Sequence, residues 1–419
     1  MSIIGIGRIA DILQIDELVH IVHDTAAVLC TPKKGNSNMQ DLTRRNFVKV
    51  AGVTTAAAMA AGALSGCSGS GSSEKKDDST KEESKEEAFM SEGKGKHLVC
   101  AVTGKLIKIA PAILANQLGY FEEEGCDVEF QTVALADAMA SMSVNKLDID
   151  LFGIVPACSY VSQGIEIFVF GGTILNGSEI ISTKDFTKEL KKAEDFKGLN
   201  IACSREESGQ IYLKNFLQEN GLKLGEDVVF EYVDNATTAL EGLRSGQNDL
   251  FITNNAMGYT YSTSMDDIKV AAVPADITGD YPCCRQNCSE DAYHNKFLSL
   301  VDFEIALIRG YDYYLNNKED VIKRLVDYSA QSADYVEAAM YGTSDYRNIM
   351  NLSPDPHTKE IVKFYKAMQN IGEIEKSDYD MADYATSAVY KKALDTLVER
   401  EPDNATYKKL AEDFSKYND

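Results

Sequence analysis

Few residues in this 419-residue chain have types and spacing suited to chemistry. Ser204-Arg205-Glu206-Glu207-Ser208-Gly209 puts hydroxyls and a glycine ahead of a helical stretch, where free backbone N–H groups and the positive helix end suit an anionic head group. Ser208 as an ordinary N-cap is compatible with that role. In Pro282-Cys283-Cys284-Arg285-Gln286, alternate side chains of a strand face opposite ways, so either Arg285 or its neighbours Cys284 and Gln286 would face a ligand. Arg285 could grip a carboxylate or sulfonate with its fork of donors, or stand as a surface arginine. Cys283, Cys284, Cys288 and His294 have the residue types of a zinc site, but C-C-x3-C-x5-H lacks the separated pairs that converge tetrahedrally. Partly buried free thiols are the better account, and no metal is expected. The chain carries no convincing G-x-S-x-G, H-E-x-x-H or P-loop, so no catalytic residue and no cofactor are expected.

The elements that must position these residues alternate between short apolar runs and helical periodicity, the mark of α/β units on a mainly parallel sheet. Strands are expected at 97–103, 128–133, 149–152 and 165–170, with helices at 109–118, 136–144 and 157–162 between them. The same order then recurs: strands at 198–203, 228–233 and 250–253, helices at 210–220 and 236–245. Met139, Met142, Asn145 and Asp148 stand 101 residues before Leu240, Leu243, Gly246 and Asp249. The apolar pair packs a helix on a sheet, and Asn or Gly supplies the left-handed residue that ends it. Two similar lobes follow from the repeat. After Tyr281 the chain reads as amphipathic helices without a sufficient strand pattern, expected to pack on the first lobe. Ligands of such sheets sit beyond the carboxyl ends of the strands. The candidates there are Thr103, Gly104, Lys105, Ala136, Asp137, Gly153, Ile154, Ser204, Ser208, Gly209, Asn254 and Asn255, together with Arg285 and Gln286.

Composition narrows the classes further. Hydrophobic residues at 44% and charged residues at 26% fit a folded globular chain. A net charge of −23, with no basic cluster, argues against nucleic acid as a partner. The nine cysteines are scattered rather than arranged as a disulfide framework.

Near the start, Thr43-Arg44-Arg45-Asn46-Phe47-Val48-Lys49 precedes an uncharged stretch to Leu64 and then Leu64-Ser65-Gly66-Cys67. Basic n-region, short apolar h-region and small-residue cleavage site make a secretory signal. Its apolar stretch of about 15 residues is short of the roughly 20 that span a bilayer. Arg44 and Arg45 before Phe47 resemble the twin-arginine export signal, and Leu-Ser-Gly-Cys resembles the bacterial lipobox, with Cys67 the lipid-attachment residue. A buried Ala-rich helix is the bland alternative. Residues 67–96 then read as the acylated cysteine and a disordered linker. Residues 1–38 are expected to be a non-native extension ahead of a start at Met39, with a short amphipathic helix at 12–29 as the alternative.

Ala115-Asn116-Gln117-Leu118-Gly119-Tyr120-Phe121-Glu122-Glu123-Glu124-Gly125-Cys126-Asp127-Val128 resembles the A-x-x-x-G-Y-F-x-x-E-G-x-x-V signature of ABC-transporter solute-binding proteins for sulfonates, nitrate, taurine and thiamine precursors. Residues 145–153, 195–202 and 240–249 resemble that family's G-x-I-D-I-G, D-L-K-G-K-x-V-A and A-L-x-x-G-x-V-D segments, so the likeness runs over about 97–400. Asn145 replaces the usual glycine, which asparagine tolerates at φ > 0. Asn254-Asn255-Ala256 replaces a frequent W-D/E-P and alters a cleft wall. The resemblance implies a two-lobed, hinged periplasmic-binding-protein fold: residues 97–182 plus 285–419 as lobe 1, 183–284 as lobe 2, with 282–286 the returning hinge strand. It implies a monomeric lipoprotein on the outer face of the bacterial cytoplasmic membrane. Such a protein would capture a small anionic solute and hand it to an ABC permease. Alternatives are a thiamine-pyrimidine binder or synthase-like enzyme, whose branch has a denser cysteine run near this hinge, and an extracellular sensor lipoprotein.

Overall fold

A computed structural model describes residues 93–254 and 256–418. Arg44, Arg45, Cys67, linker residues 68–92 and the extension at 1–38 lie outside the described residues, as does Asn255; the last part of the expected linker, 93–96, is held to the folded body, the Lys96 amide donating to Ser299 Oγ (2.8 Å) and Ser299 Oγ to the Gly93 carbonyl (2.7 Å).

The chain enters on β1 (Leu98–Val102), then a 3₁₀ turn (Ile107–Ile109), α1 (Ala110–Leu118), α2 (Tyr120–Glu123), β2 (Val128–Thr132), α3 (Leu135–Met142), β3 (Ile149–Asp150), α4 (Ile154–Ser162) and β4 (Ile167–Asn176). Pro111 sits in the first turn of α1, where its missing N–H costs nothing, and Gly119 ends it at φ 78°. The second run is β5 (Ser178–Thr183), β6 (Asn200–Cys203), α5 (Ser208–Glu219), β7 (Val229–Tyr232), α6 (Ala236–Ser245), β8 (Leu250–Asn254), α7 (Met257–Ser264), β9 (Ile268–Ala272) and α8 (Pro274–Thr278). The chain returns on β10 (Pro282–Ser289) and continues through α9 (Glu290–Asn295), α10 (Phe297–Asn316), α11 (Lys318–Ser329), α12 (Ala333–Tyr341), β11 (Met350–Leu352), α13 (Thr358–Asn370), α14 (Ala388–Arg400) and α15 (Ala405–Asn418).

Two sheets result. The first has the order β11-β4-β10-β3-β1-β2 and the second β7-β6-β8-β5-β9. In each, three strands are parallel, β2-β1-β3 and β7-β6-β8, and the strand that arrives from the other lobe, β10 or β5, adds antiparallel beside the third. The sheets are therefore mixed, with a parallel core in each. Apolar clusters cover both faces of both sheets, as helices on two sides require. The expected repeat is visible in geometry: Asn145 at φ 56° and Gly246 at φ 75° both take the left-handed conformation.

The lobe boundaries fall earlier than the sequence suggested. Residues 178–183 pair with β8 and β9 of the second sheet, so the first crossing is at Asn176-Gly177 rather than at residue 182. The return is at Tyr281, because Pro282 and Cys284 already pair with β4. The two crossings are bonded to each other: the Asn176 amide donates to the Tyr281 carbonyl (2.9 Å), and Asn176 Nδ2 donates to Asp280 (2.9 Å). The C-terminal helices pack on the first lobe, α10 against α1 and α14. They also supply the short edge strand β11, which the helical composition of that region concealed.

Candidate functional site

The carboxyl ends of the two parallel cores face one another across a cleft of about 190 Å³. Lobe 1 contributes Thr103, Leu106, Lys108, Leu135, Phe152, Gly153, Ile154 and Pro156; lobe 2 contributes Ser204, Glu206, Glu207, Ser208 and Asn254; the returning strand contributes Cys283 and Cys284. Larger cavities exist. One of about 460 Å³, between α1 and β2, takes Gly104 and Lys105 away from the cleft, and one of about 400 Å³ runs along β9. Neither lies where the two sets of strand ends converge, which is why the smaller cleft is the candidate.

Of the residues expected from sequence, Thr103, Gly153, Ile154, Ser204, Ser208 and Asn254 meet in this cleft. Gly153 is left-handed at φ 75° and opens α4. Asp137 is on the exposed side of α3, in which Ala136 also lies. Gly209 is buried against the hinge; a Cβ there would stand 2.3 Å from Ser178 Oγ.

Arg285 and Gln286 do not reach the cleft. Both are fully buried inside lobe 1. Arg285 Nη1 donates to the Ile174 carbonyl (3.0 Å) and the Cys284 carbonyl (2.9 Å), and Gln286 Nε2 to the Gly172 carbonyl (2.8 Å). The reason is a bulge: the pairing of β10 with β4 shifts register between Pro282 and Cys284 and between Cys284 and Arg285. That breaks the alternation from which the choice of facing residue was argued. Both cysteines take the wall instead.

The anion site expected at the start of α5 is also altered. Glu207, not Ser208, holds the N-cap position, and Ser208 Oγ is buried without a partner. The Glu207 carboxylate accepts from Ser178 Oγ at 2.5 Å, while burial pushes its carboxyl up and Ser178 and Lys108 pull it part of the way back. The chain's own carboxyl group thus occupies the helix end that an outside anion would use. Sequence reasoning read the hydroxyls of this loop and passed over the carboxylate beside them.

Lys108, in the 3₁₀ turn before α1, is the cation among the lining residues and lies 5.7 Å from the Phe152 ring centroid. Burial lowers its ammonium, but Cys284, Cys283 and Glu207 outweigh this and raise it, so it stays charged. The Cys283 and Cys284 sulfurs are 4.0 Å apart. A hydrogen bond from Cys283 lowers the Cys284 thiol to about 7, against burial and with help from Lys108. Among the described residues no group of three or more His, Cys, Asp or Glu gathers as a metal set; Cys288 is buried in β10, away from the cleft.

Two α/β lobes joined by paired crossings around a cleft at their strand ends define a periplasmic-binding-protein architecture. The chain belongs to the NMT1/THI5-like family, whose model matches residues 107–338, more than half of its length. Among solved structures, the periplasmic nitrate-binding protein NrtA of Synechocystis PCC 6803 is similar at TM-score 0.58 and 14% identity, covering 72% of this chain and 89% of its own. The aliphatic sulphonate binding protein SsuA of Escherichia coli is similar at TM-score 0.56 and 14% identity, covering 69% and 91%. SsuA of Xanthomonas axonopodis pv. citri, bound to MOPS, is similar at TM-score 0.52 and 17% identity, covering 69% and 98%. At these identities the likeness is one of fold. No curated protein gives a significant match to the chain.

Proposed function

We propose that the protein is the extracytoplasmic solute-binding component of an ABC importer, which closes on a small organic solute and delivers it to a permease without chemical change. The observation that carries this reading is the interlobe cleft itself. Its lining includes one cation, Lys108, the unpartnered buried hydroxyl of Ser208 and one aromatic ring, Phe152. Its size, below the roughly 300 Å³ of drug-sized sites, suits a small solute. An anionic group, whether sulfonate, nitrate or carboxylate, would be held at Lys108 rather than at the start of α5, where Glu207 already stands. A solute that also offers an N–H or O–H toward Glu207 would satisfy both ends.

A second reading, a neutral pyrimidine, is favoured by Glu207 as an acceptor and Phe152 as a ring in the same cleft. Calorimetric titration of the full chain with methanesulfonate, nitrate, small carboxylates and an aminopyrimidine separates the two. Replacing Lys108 by Ala is expected to weaken an anion about tenfold or more and to leave a neutral pyrimidine little changed. The opposite pattern sinks the anion reading, and bound iron with product formation sinks solute capture. In this reading the protein acts as a monomer, exported by the Arg44-Arg45 signal and anchored through Cys67. Cys67→Ala is expected to release it from the membrane fraction.

A further inference from the structure

Cys283 and Cys284 share one wall although they are neighbours in a strand, where successive side chains face opposite ways. The register shifts on either side of Cys284 bring this about, and the sulfurs come to 4.0 Å. Across the first crossing, Gly177 is left-handed at φ 88°, and a Cβ there would stand 2.9 Å from Cys283 Sγ. A glycine at that point leaves room for the thiol. Cys283 is half-buried and Cys284 buried, and both border the cleft. A small reagent can reach the pair through the cleft, while a protein cannot.

We propose that Cys283 and Cys284 form a redox-active vicinal dithiol, which a small disulfide oxidant entering the cleft closes into a Cys283–Cys284 disulfide, and that closure raises the affinity of the cleft for anions. One cysteine, as thiolate, attacks a sulfur of the oxidant RSSR. The S–S bond of the oxidant breaks, and RS⁻ leaves and takes up a proton. The second cysteine gives up its proton and attacks the protein sulfur of the mixed disulfide, forming the ring and expelling the other RS⁻, which is protonated in turn. Two protein thiols are oxidised, and RSSR is reduced to two RSH.

Three features favour this chemistry. The pair loses its first proton readily, because the thiolate is stabilised by the neighbouring thiol and by Lys108. The second sulfur is already beside the first, so resolution is intramolecular. Adjacent Cα atoms are about 3.8 Å apart, short of the roughly 4.4–6.8 Å of relaxed disulfides, so the ring is strained, easily reopened and suited to a reversible switch. The thiolate of the reduced form occupies part of the positive charge of Lys108, and ring closure removes that competitor. This consequence for affinity rests on the solute-capture reading; the thiol chemistry does not.

The test treats the folded, full-length protein with hydroxyethyl disulfide, alkylates remaining thiols in denaturant and digests with trypsin. The peptide from Val270 to Arg285 contains Cys283 and Cys284 as its only cysteines. The expected result is that peptide, unalkylated and lighter by two hydrogens, returning to the doubly alkylated form after dithiothreitol. Methanesulfonate affinity at pH 8 is expected to rise about fivefold on oxidation, and not at all in Cys284→Ser. A doubly alkylated peptide, or one carrying the mercaptoethanol adduct on each cysteine, overturns the dithiol assignment. Ring formation with unchanged affinity overturns the tuning and leaves solute capture standing. Ring formation without binding of methanesulfonate, nitrate or a small carboxylate in either state overturns the tuning together with the anion reading, while the thiol chemistry survives.

Discussion

In lobe 1 the Asp148 carboxylate accepts the Val99 amide at 2.8 Å, and in lobe 2 the Asp249 carboxylate accepts the Asn200 amide at 2.8 Å. Each aspartate also donates its own amide back, to the Val99 and Asn200 carbonyls at 3.0 and 2.8 Å. One residue type at one place in the repeat thus clamps the first strand to the third in both lobes. The lobes part company at the next atom. Asp148 also receives Lys296 at 2.7 Å, from the helices after the second crossing, and is 5% exposed. Among the described residues Asp249 has no such partner, and it is half-buried. The local motif sets the clamp, and the remote helices that only lobe 1 possesses decide how deeply it is buried and what else depends on it.

That difference can be broken by removing the clamps one at a time. Asp148→Ala leaves the Lys296 ammonium and the Val99 amide without their acceptor, and is expected to cost about 3–5 kcal/mol in denaturant unfolding. Asp249→Ala removes one charged acceptor and is expected to cost about 1.5–3 kcal/mol. Equal losses would mean that Lys296 adds nothing.

A second contrast lies two residues further on. Lobe 1 buries Asp150 in β3, where the counterpart 101 residues later is Phe251. Burial pushes the Asp150 carboxyl up to about 7, and the Asn287 amide only partly offsets this. Its unfolded value is roughly 3.9. Between the two the folded state holds a proton that the unfolded state has lost, so this group makes stability fall as pH rises from about 4 to 7. Asp150→Asn is expected to flatten that slope and to add up to about 4 kcal/mol at pH 8. An unchanged pH profile of unfolding would refute the shift.

The smallest effects concern the left-handed helix ends. Gly246→Ala is expected to cost about 1 kcal/mol. Asn145→Gly should fall within about 0.5 kcal/mol, because both residues tolerate φ > 0, although it forfeits the bond from the Asp291 amide to Asn145 Oδ1 (3.2 Å). A larger loss at Asn145 would show that this bond, not the backbone angle, governs the site.

Much of this was legible in the sequence because it is local. Helix periods, left-handed stop residues and the repeated Leu/Met-x-x-Leu/Met-x-x-Asn/Gly-x-x-Asp spacing depend on neighbours a few positions away, and 236–245 matches the observed helix in full. The candidate site was legible only in part. Thr103, Gly153, Ile154, Ser204, Ser208 and Asn254 follow from the rule that ligands sit past strand ends. Arg285 and Gln286 fail because the register shifts where β10 meets β4 break the alternation of facing along the strand. Glu207 and Lys108 were missed because nothing in a one-dimensional pattern says which of Glu206 or Glu207 takes the helix cap, or which of Lys105 or Lys108 turns into the cleft, once a helix or 3₁₀ turn begins.

The position of β10 has a bearing on the order in which the molecule can be built. It lies between β3 and β4, so the first sheet stays split until residue 289 has been synthesised. The second sheet has all its strands by Ala272 and is one continuous stretch of chain. Although domains commonly fold from the N-terminus as they emerge, here the middle of the chain can finish first. Lobe 2 would then present a completed partner to an opened lobe 1, whose central gap is filled by the strand that bears Cys283 and Cys284.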